Sequence, residues 1–136
     1  MARRVLAALI LVLVSVVVVV PAWAHHSFAA AYDTSKTFEV KGTINRVRLT
    51  NPHSWFYLDV KDEATGTVSE WAFEAGTPSG MIRNGYDKNE LKTGTVVTIQ
   101  GRPAKDPTQK VGMLVTLTMA NGKVYKMFGP QENASR

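Results

Sequence analysis

The sequence has 136 residues, with 16 Lys and Arg against 11 Asp and Glu, and it contains no cysteine. This length fits one ordinary domain with a single hydrophobic core. The lack of cysteine excludes disulfides, thiolate metal sites and a cysteine nucleophile. The basic residues are scattered among the acids, so the formal net charge of +5 does not favour a nucleic-acid partner.

Residues 1–24 have the pattern of a secretory signal peptide. Arg3 and Arg4 precede an apolar run at residues 5–20, and Ala22-Trp23-Ala24 places small residues where signal peptidase needs them. A retained membrane anchor is the alternative, but the run is shorter than the ~20 residues that span a bilayer. We therefore predict cleavage after Ala24, a periplasmic or secreted mature protein, and no membrane span after cleavage.

The mature chain is predicted to have three parts: an N-terminal arm at residues 25–36, a β-barrel domain at 37–128 and a polar tail at 129–136. Because Arg3 and Arg4 leave with the signal peptide, 14 basic and 11 acidic residues remain, which lowers the net charge to +3. That charge is too small to indicate nucleic-acid binding.

The domain shows the alternation of apolar and polar residues that is typical of half-buried strands. In the first strand, Phe38, Val40 and Ile44 carry this pattern, and the apolar phase slips by one residue at Arg46. Such a slip inside a long strand indicates a β-bulge. Four further strands and a short return strand are predicted at residues 55–60, 68–74, 95–102, 111–119 and 124–127.

Turn and helix signals separate these strands. Residues 62–66 and Asn121-Gly122 predict hairpin turns. Thr77 followed by Pro78 predicts the start of a short helix that ends at Gly85. Asp87 with Glu90 has the spacing of a capping box and predicts one more helical turn.

Three strands, a short helix and then two or three strands is the order of a small Greek-key barrel of the oligonucleotide/oligosaccharide-binding (OB) type. We therefore predict a mainly β protein with a five- to six-stranded OB-like barrel. The alternative is a cupredoxin-like sandwich, which usually has seven or eight strands, more than the sequence indicates.

Several short motifs occur together along the mature chain. They are His25-His26-Ser27-Phe28, Asn51-Pro52-His53-Ser54-Trp55, Gly80 with Arg83 and Gly85, and Leu91-Lys92 with Gly94. This set resembles an uncharacterised family of small secreted or periplasmic bacterial proteins with an HHSF mature N-terminus and an NPHxW motif. The resemblance implies a domain of unknown function and carries over no substrate, cofactor or catalytic residue.

The three histidines of the chain are His25, His26 and His53. After cleavage, the terminal amine and imidazole of His25 could chelate one metal ion, and His53 could add a third nitrogen. Such a nitrogen set suits copper, and it resembles the histidine brace of lytic polysaccharide monooxygenases and of some periplasmic copper carriers. A variant would use the amine, the intervening amide nitrogen and the His26 imidazole. The alternative without metal leaves two solvated terminal histidines and a His53 that hydrogen-bonds locally.

Trp55 and Tyr57 share one face of the second predicted strand, opposite Phe56, Leu58 and Val60. In OB-like barrels, the second and third strands can present aromatic side chains that stack on sugars or bases. Trp55 and Tyr57 are therefore a candidate ligand-binding surface, with packing under the N-terminal arm as the alternative.

The sequence shows no nucleophile elbow, no paired catalytic acids and no phosphate-binding loop. Asp59, Glu70 and Glu74 could meet on adjacent strands and bind a cation, although exposed acids more often stay solvated. We expect a noncatalytic periplasmic binding module for copper, a small ligand or an envelope protein. The alternatives are a metal-dependent redox enzyme that uses the histidine brace and an OB-like binding domain without metal.

Overall fold

The computed structural model describes residues 28–126, and His25 and His26 lie outside that range. The helices are α1 (Phe28–Ala31) and α2 (Pro78–Arg83). The strands are β1 (Phe38–Arg48), β2 (Trp55–Lys61), β3 (Val68–Glu74), β4 (Val96–Pro103), β5 (Val111–Met119) and β6 (Val124–Lys126). None of the helices in residues 28–126 is long and apolar enough to cross a membrane.

Five of these strands close into a barrel. Antiparallel pairs join β2 to β3, β2 to β1, β1 to β4 and β4 to β5, and a parallel pair between β3 and β5 completes the ring. Strand β6 extends the sheet beyond β5, and α2 lies between β3 and β4 in the chain. The prediction of a mainly β, OB-like barrel is confirmed, because a two-sheet sandwich would leave these strands unclosed.

Strand β1 serves both halves of the barrel. Residues 38–43 pair with β4, whereas residues 43–48 pair with β2. The register with β2 shifts between Ile44 and Arg46, so Asn45 is the extra residue of a bulge. The bulge predicted from the slip of the apolar pattern is confirmed, and it lets one strand bend from one sheet surface to the other.

The barrel interior holds the core. On β2, Phe56 and Leu58 are fully buried, Val60 is half-buried, and Trp55 and Tyr57 are half-buried on the opposite face. Residues from other parts of the chain pack against Phe56 and Leu58 in this core. Those that have no exposed surface include Ile44, Phe73, Met81, Leu91, Ile99, Leu114 and Leu117.

The segment after β3 begins as its sequence predicts. The Thr77 hydroxyl accepts a hydrogen bond from Gly80 N at 3.1 Å and caps α2. Gly85 then has a φ of 86°, a conformation that favours glycine and ends the helix. A single turn follows, but Glu90 does not close the predicted capping box, because its carboxylate pairs with Lys123 and Tyr125 instead.

The chain before β1 lies against the connection between β4 and β5. Asp33 N donates to Pro103 O at 2.9 Å, and Lys105 N donates to Ala31 O at 3.0 Å. Tyr32 is buried between these two bonds, with 3% of its surface exposed. Residues 28–36 therefore follow the barrel surface and bring α1 to the start of β2.

Candidate functional site

His53 precedes β2 by two residues and follows a cis peptide bond between Asn51 and Pro52. Its position is set by the ladder between β2 and β3, which continues past the end of both strands. Ser54 N donates to Gly76 O at 2.9 Å, and Ala75 N donates to Ser54 O at 2.8 Å. Because this ladder fixes the backbone on either side, the His53 ring lies beside the last residue of β3.

That last residue is Glu74, and it pairs with His53. Nδ1 of His53 contacts Oε1 of Glu74, with 25% of the histidine side chain and 14% of the glutamate side chain exposed. A carboxylate only accepts hydrogen bonds, so Nδ1 carries the hydrogen of this pair. In the neutral ring, the lone pair is then on Nε2, and no other hydrogen bond to His53 is made within residues 28–126.

The second carboxylate oxygen of Glu74 accepts a hydrogen bond from the arm. The Tyr32 hydroxyl donates to Oε2 of Glu74. Burial of the phenol, followed by its hydrogen bond to the charged Glu74, raises the pKa of Tyr32 above its usual range. Tyr32 therefore stays protonated and remains a donor, and both oxygens of Glu74 are engaged.

Helix α1 places a third ring on this site. Tyr32 N donates to Phe28 O at 2.8 Å, so Phe28 and Tyr32 are four residues apart on one side of a helical turn. The ring centroids of Phe28 and His53 are 5.0 Å apart, at an interplanar angle of 37°. His53 is thus held between a carboxylate and an aromatic ring, and we name the set Phe28, Tyr32, His53 and Glu74 the histidine site.

Within residues 28–126, no group of three or more His, Cys, Asp or Glu side chains is arranged to hold a metal ion. His53 is the one candidate metal ligand of the predicted set that lies in this range, since His25 and His26 precede it.

The three acids that the sequence placed on adjacent strands do not meet. Asp59 and Glu70 are opposite each other on β2 and β3, and Asn45 Nδ2 donates to both carboxylates, at 2.8 and 2.9 Å. Glu74 lies at the other end of β3, beside His53. The hypothesis of a three-acid cation site is therefore wrong. The Asn45 amide is hydrogen-bonded to Asp59 and Glu70, and Glu74 is part of the histidine site.

Trp55 and Tyr57 lie next to each other on the outer face of β2, with ring centroids 6.5 Å apart. The guanidinium carbon of Arg46 is 4.0 Å from the Tyr57 centroid, and Arg46 also approaches Glu70 at 3.7 Å. One face of the Tyr57 ring is therefore covered by the Arg46 guanidinium, which in turn pairs with Glu70. A stacking ligand at this surface would contact mainly Trp55 and the outer side of Arg46.

Sequence reasoning missed Phe28, Tyr32 and Glu74 as members of the histidine site. Glu74 could have been found from the hairpin of β2 and β3, because the register of this hairpin places Glu74 opposite Trp55, which is two residues after His53. Tyr32 is 42 residues from Glu74 in sequence, and no local pattern predicts that contact.

The fold and the site define a small OB-like barrel whose N-terminal arm meets a histidine–glutamate pair at the start of β2. The chain belongs to DUF6152, a family of unknown function whose profile matches residues 12–113. The resemblance to an uncharacterised family is confirmed, and the match includes the arm, His53 and Glu74. No curated protein sequence matches the chain.

Proposed function

We propose that the protein is a noncatalytic periplasmic binding module that holds one Cu(II) ion at its mature N-terminus. The amine and imidazole of His25 and Nε2 of His53 are the proposed ligands. The observation that carries the proposal is the pairing of His53 Nδ1 with Glu74, because the other ring nitrogen, Nε2, makes no hydrogen bond within residues 28–126 and can bind a metal.

The His53–Glu74 pair has the arrangement that metal-binding histidines use. Such a histidine almost always donates its other ring N–H to a carboxylate or carbonyl, which fixes the tautomer and makes the free nitrogen more basic. Glu74 is fixed in turn by Tyr32. Imidazole and amine nitrogens suit copper, which stands highest in affinity among the divalent first-row metals.

The path of the arm supports the participation of His25. Phe28 contacts the His53 ring and is three residues after His25. Three residues span at most about 11 Å. A chain that leaves Phe28 can therefore bring its first residue back to His53 without moving the barrel.

The test compares Cu(II) binding by the exported protein and by four variants, using calorimetry and electron paramagnetic resonance. An intact mass that begins at His25 is the first requirement. We expect one Cu(II) per chain with several nitrogen ligands. One residue added before His25 and the His53→Ala change should each weaken binding by at least tenfold, whereas His26→Ala, the matched histidine control, should have little effect. Glu74→Gln should weaken binding by about 10-fold or more, because it removes the charge that orients His53.

Equal affinity of the extended and native N-termini would overturn the proposal. Loss of binding in His26→Ala with no change in His53→Ala would show that the terminal residues alone hold the ion. A metal-dependent redox enzyme is tested with the same samples, since the copper form would then oxidise ascorbate with oxygen faster than free Cu(II) does, and the His53→Ala form would not.

A further inference from the structure

A concave site lies at the end of the barrel where β1 begins, and it shares no lining residue with the histidine site. This cavity has a volume of about 420 Å³. Pockets for small molecules usually have about 300–1,000 Å³, and barrel mouths are among their common locations. Phe38 of β1 and Trp71 of β3 supply its aromatic wall, and the arm and the β4–β5 connection complete it.

The aromatic wall is fixed by the packing beneath it. The centroids of Phe38 and Trp71 are 5.5 Å apart, and Phe38 also packs on Phe73. Two glycines on β4 and β5 make room for Phe38: a Cβ at Gly112 would lie 2.7 Å from its Cζ, and one at Gly101 would lie 3.3 Å from its Cε1. Phe38 therefore occupies space that side chains of the neighbouring strands would otherwise fill.

The opposite wall is held in place by hydrogen bonds. The connection from β4 to β5 is tied to the arm by the hydrogen bonds of Asp33 and Lys105 described above. Within this connection, the Asp106 carboxylate accepts hydrogen bonds from the backbone and hydroxyl of Thr108 and from the side chain of Gln109. The cavity is therefore preformed, which reduces the entropy lost when a ligand binds.

The charges at the rim are unequal. Lys36 Nζ is 2.8 Å from Asp33 Oδ2, and hydrogen bonds from Lys36 and then Ser35 lower the pKa of Asp33 to about 2. These two charges cancel. Lys105 is exposed and has no ion pair within residues 28–126. The indole N–H of Trp71 likewise donates to no residue in that range.

We propose that this cavity binds a small aromatic compound that carries one negative charge. The ring would lie against Trp71 and Phe38, and the anionic group would face Lys105, the lining cation that pairs with no acid within residues 28–126. The apolar part of the lining also includes Pro103, Pro107 and Val111. The site does not depend on copper, so its test is independent of the test of the proposed function.

The probe for the test is 2-naphthoate, compared with the neutral 2-naphthylmethanol and the cationic 2-naphthylmethylammonium. Binding is followed by the indole cross-peak of Trp71 in ¹H–¹⁵N spectra of the exported protein, assigned by its loss in Trp71→Phe. We expect saturable shifts of this peak, with the anion bound about two- to fivefold more tightly than the alcohol, as expected for one exposed charge pair. The ammonium compound should bind least.

Four variants locate the probe: two at residues on the cavity rim or wall, one control and one substitute. Lys105→Gln should reduce the affinity for naphthoate to that for the alcohol, whereas Lys88→Gln, which changes another exposed lysine outside the cavity lining, should change nothing. Ala104→Phe, which fills the cavity, should abolish binding of all three compounds. If that variant is unstable, Gln109→Trp on the exposed connection applies the same test. The proposal is overturned by no shift of the Trp71 peak at millimolar naphthoate, by equal binding of anion and cation, or by unchanged binding in the filled variant.

Discussion

Glu74 connects the arm to the barrel through its two oxygens. Tyr32 donates to one and His53 to the other, so one side chain fixes both a buried phenol and the orientation of a candidate metal ligand. A carboxylate with two charge-assisted hydrogen bonds is held more firmly than either bond would hold it alone. The arm and the histidine site therefore depend on the same residue.

Tyr32→Phe should lower the free energy of unfolding by about 1.5–2 kcal/mol, because it removes a hydrogen bond to a charged group and leaves that oxygen of Glu74 half-buried without it. Tyr57→Phe is the matched control, since the Tyr57 hydroxyl donates to no residue within 28–126, and it should cost less than about 0.5 kcal/mol. Urea unfolding of both variants measures the difference. Equal losses would show that the bond to Glu74 contributes nothing specific.

Some residues of the histidine site could be predicted from the sequence, and others could not. His53 is recognisable by its residue type. Glu74 follows from hairpin register once β2 and β3 are assigned, because antiparallel partners have a constant sum of residue numbers. Phe28 and Tyr32 reach the site through a docked arm, and docking depends on the finished barrel surface rather than on local pattern.

At the scale of elements, the alternating pattern predicted each strand, because one face of every barrel strand meets the same core. The capping box failed for a tertiary reason. Glu90 has the right spacing from Asp87, but Lys123 and Tyr125 of the last hairpin bring a cation and a hydroxyl to its carboxylate. Such partners are distant in sequence, so spacing alone could not reveal them.

This contact of Glu90 predicts a pH dependence of stability. Hydrogen bonds from Lys123 and then Tyr125 lower the pKa of Glu90 in the folded protein. Protonation therefore favours the unfolded chain, and the stabilisation is present above the unfolded pKa of about 4.3 and is lost as the pH falls through the lower folded pKa. We expect Glu90→Gln to reduce the fall in Tm between about pH 5 and pH 3 by a few degrees.

Glu63→Gln is the control for that measurement, because Glu63 is an exposed loop acid without an ion pair in residues 28–126. It should leave the pH profile of Tm unchanged. Parallel profiles for Glu90→Gln and the native protein would show that the contact with the last hairpin does not stabilise the fold.

At the scale of the whole molecule, the order of elements predicted the barrel, since few topologies close three strands, a helix and two strands without crossing connections. The parallel pairing of β3 with β5, which closes the barrel, joins strands that are far apart in sequence. The arm then contributes to two sites on this barrel, since Tyr32 belongs to the histidine site and Asp33 lines the cavity. Its helix meets His53, and its following residues line the cavity at the barrel mouth.

Copper should therefore stabilise the whole protein only if the ion joins the arm to the barrel. A chelate made by residues 25 and 26 alone forms equally well in the folded and unfolded chains, so it shifts no folding equilibrium. A site that also uses His53 exists in the folded state alone. If it binds tenfold more tightly than the terminal chelate, saturating Cu(II) adds about 1.4 kcal/mol. For a domain of this size, that raises Tm by on the order of 5–10 °C.

Thermal unfolding with and without Cu(II) measures this gain in the native protein, in His53→Ala and in the chain extended by one residue before His25. We expect the rise in Tm in the native protein alone. A rise of the same size in His53→Ala would assign the stabilising ion to another place on the barrel. Copper binding in calorimetry without any rise in Tm would confine the ion to the terminal residues, because only a ligand drawn from the folded barrel couples binding to folding.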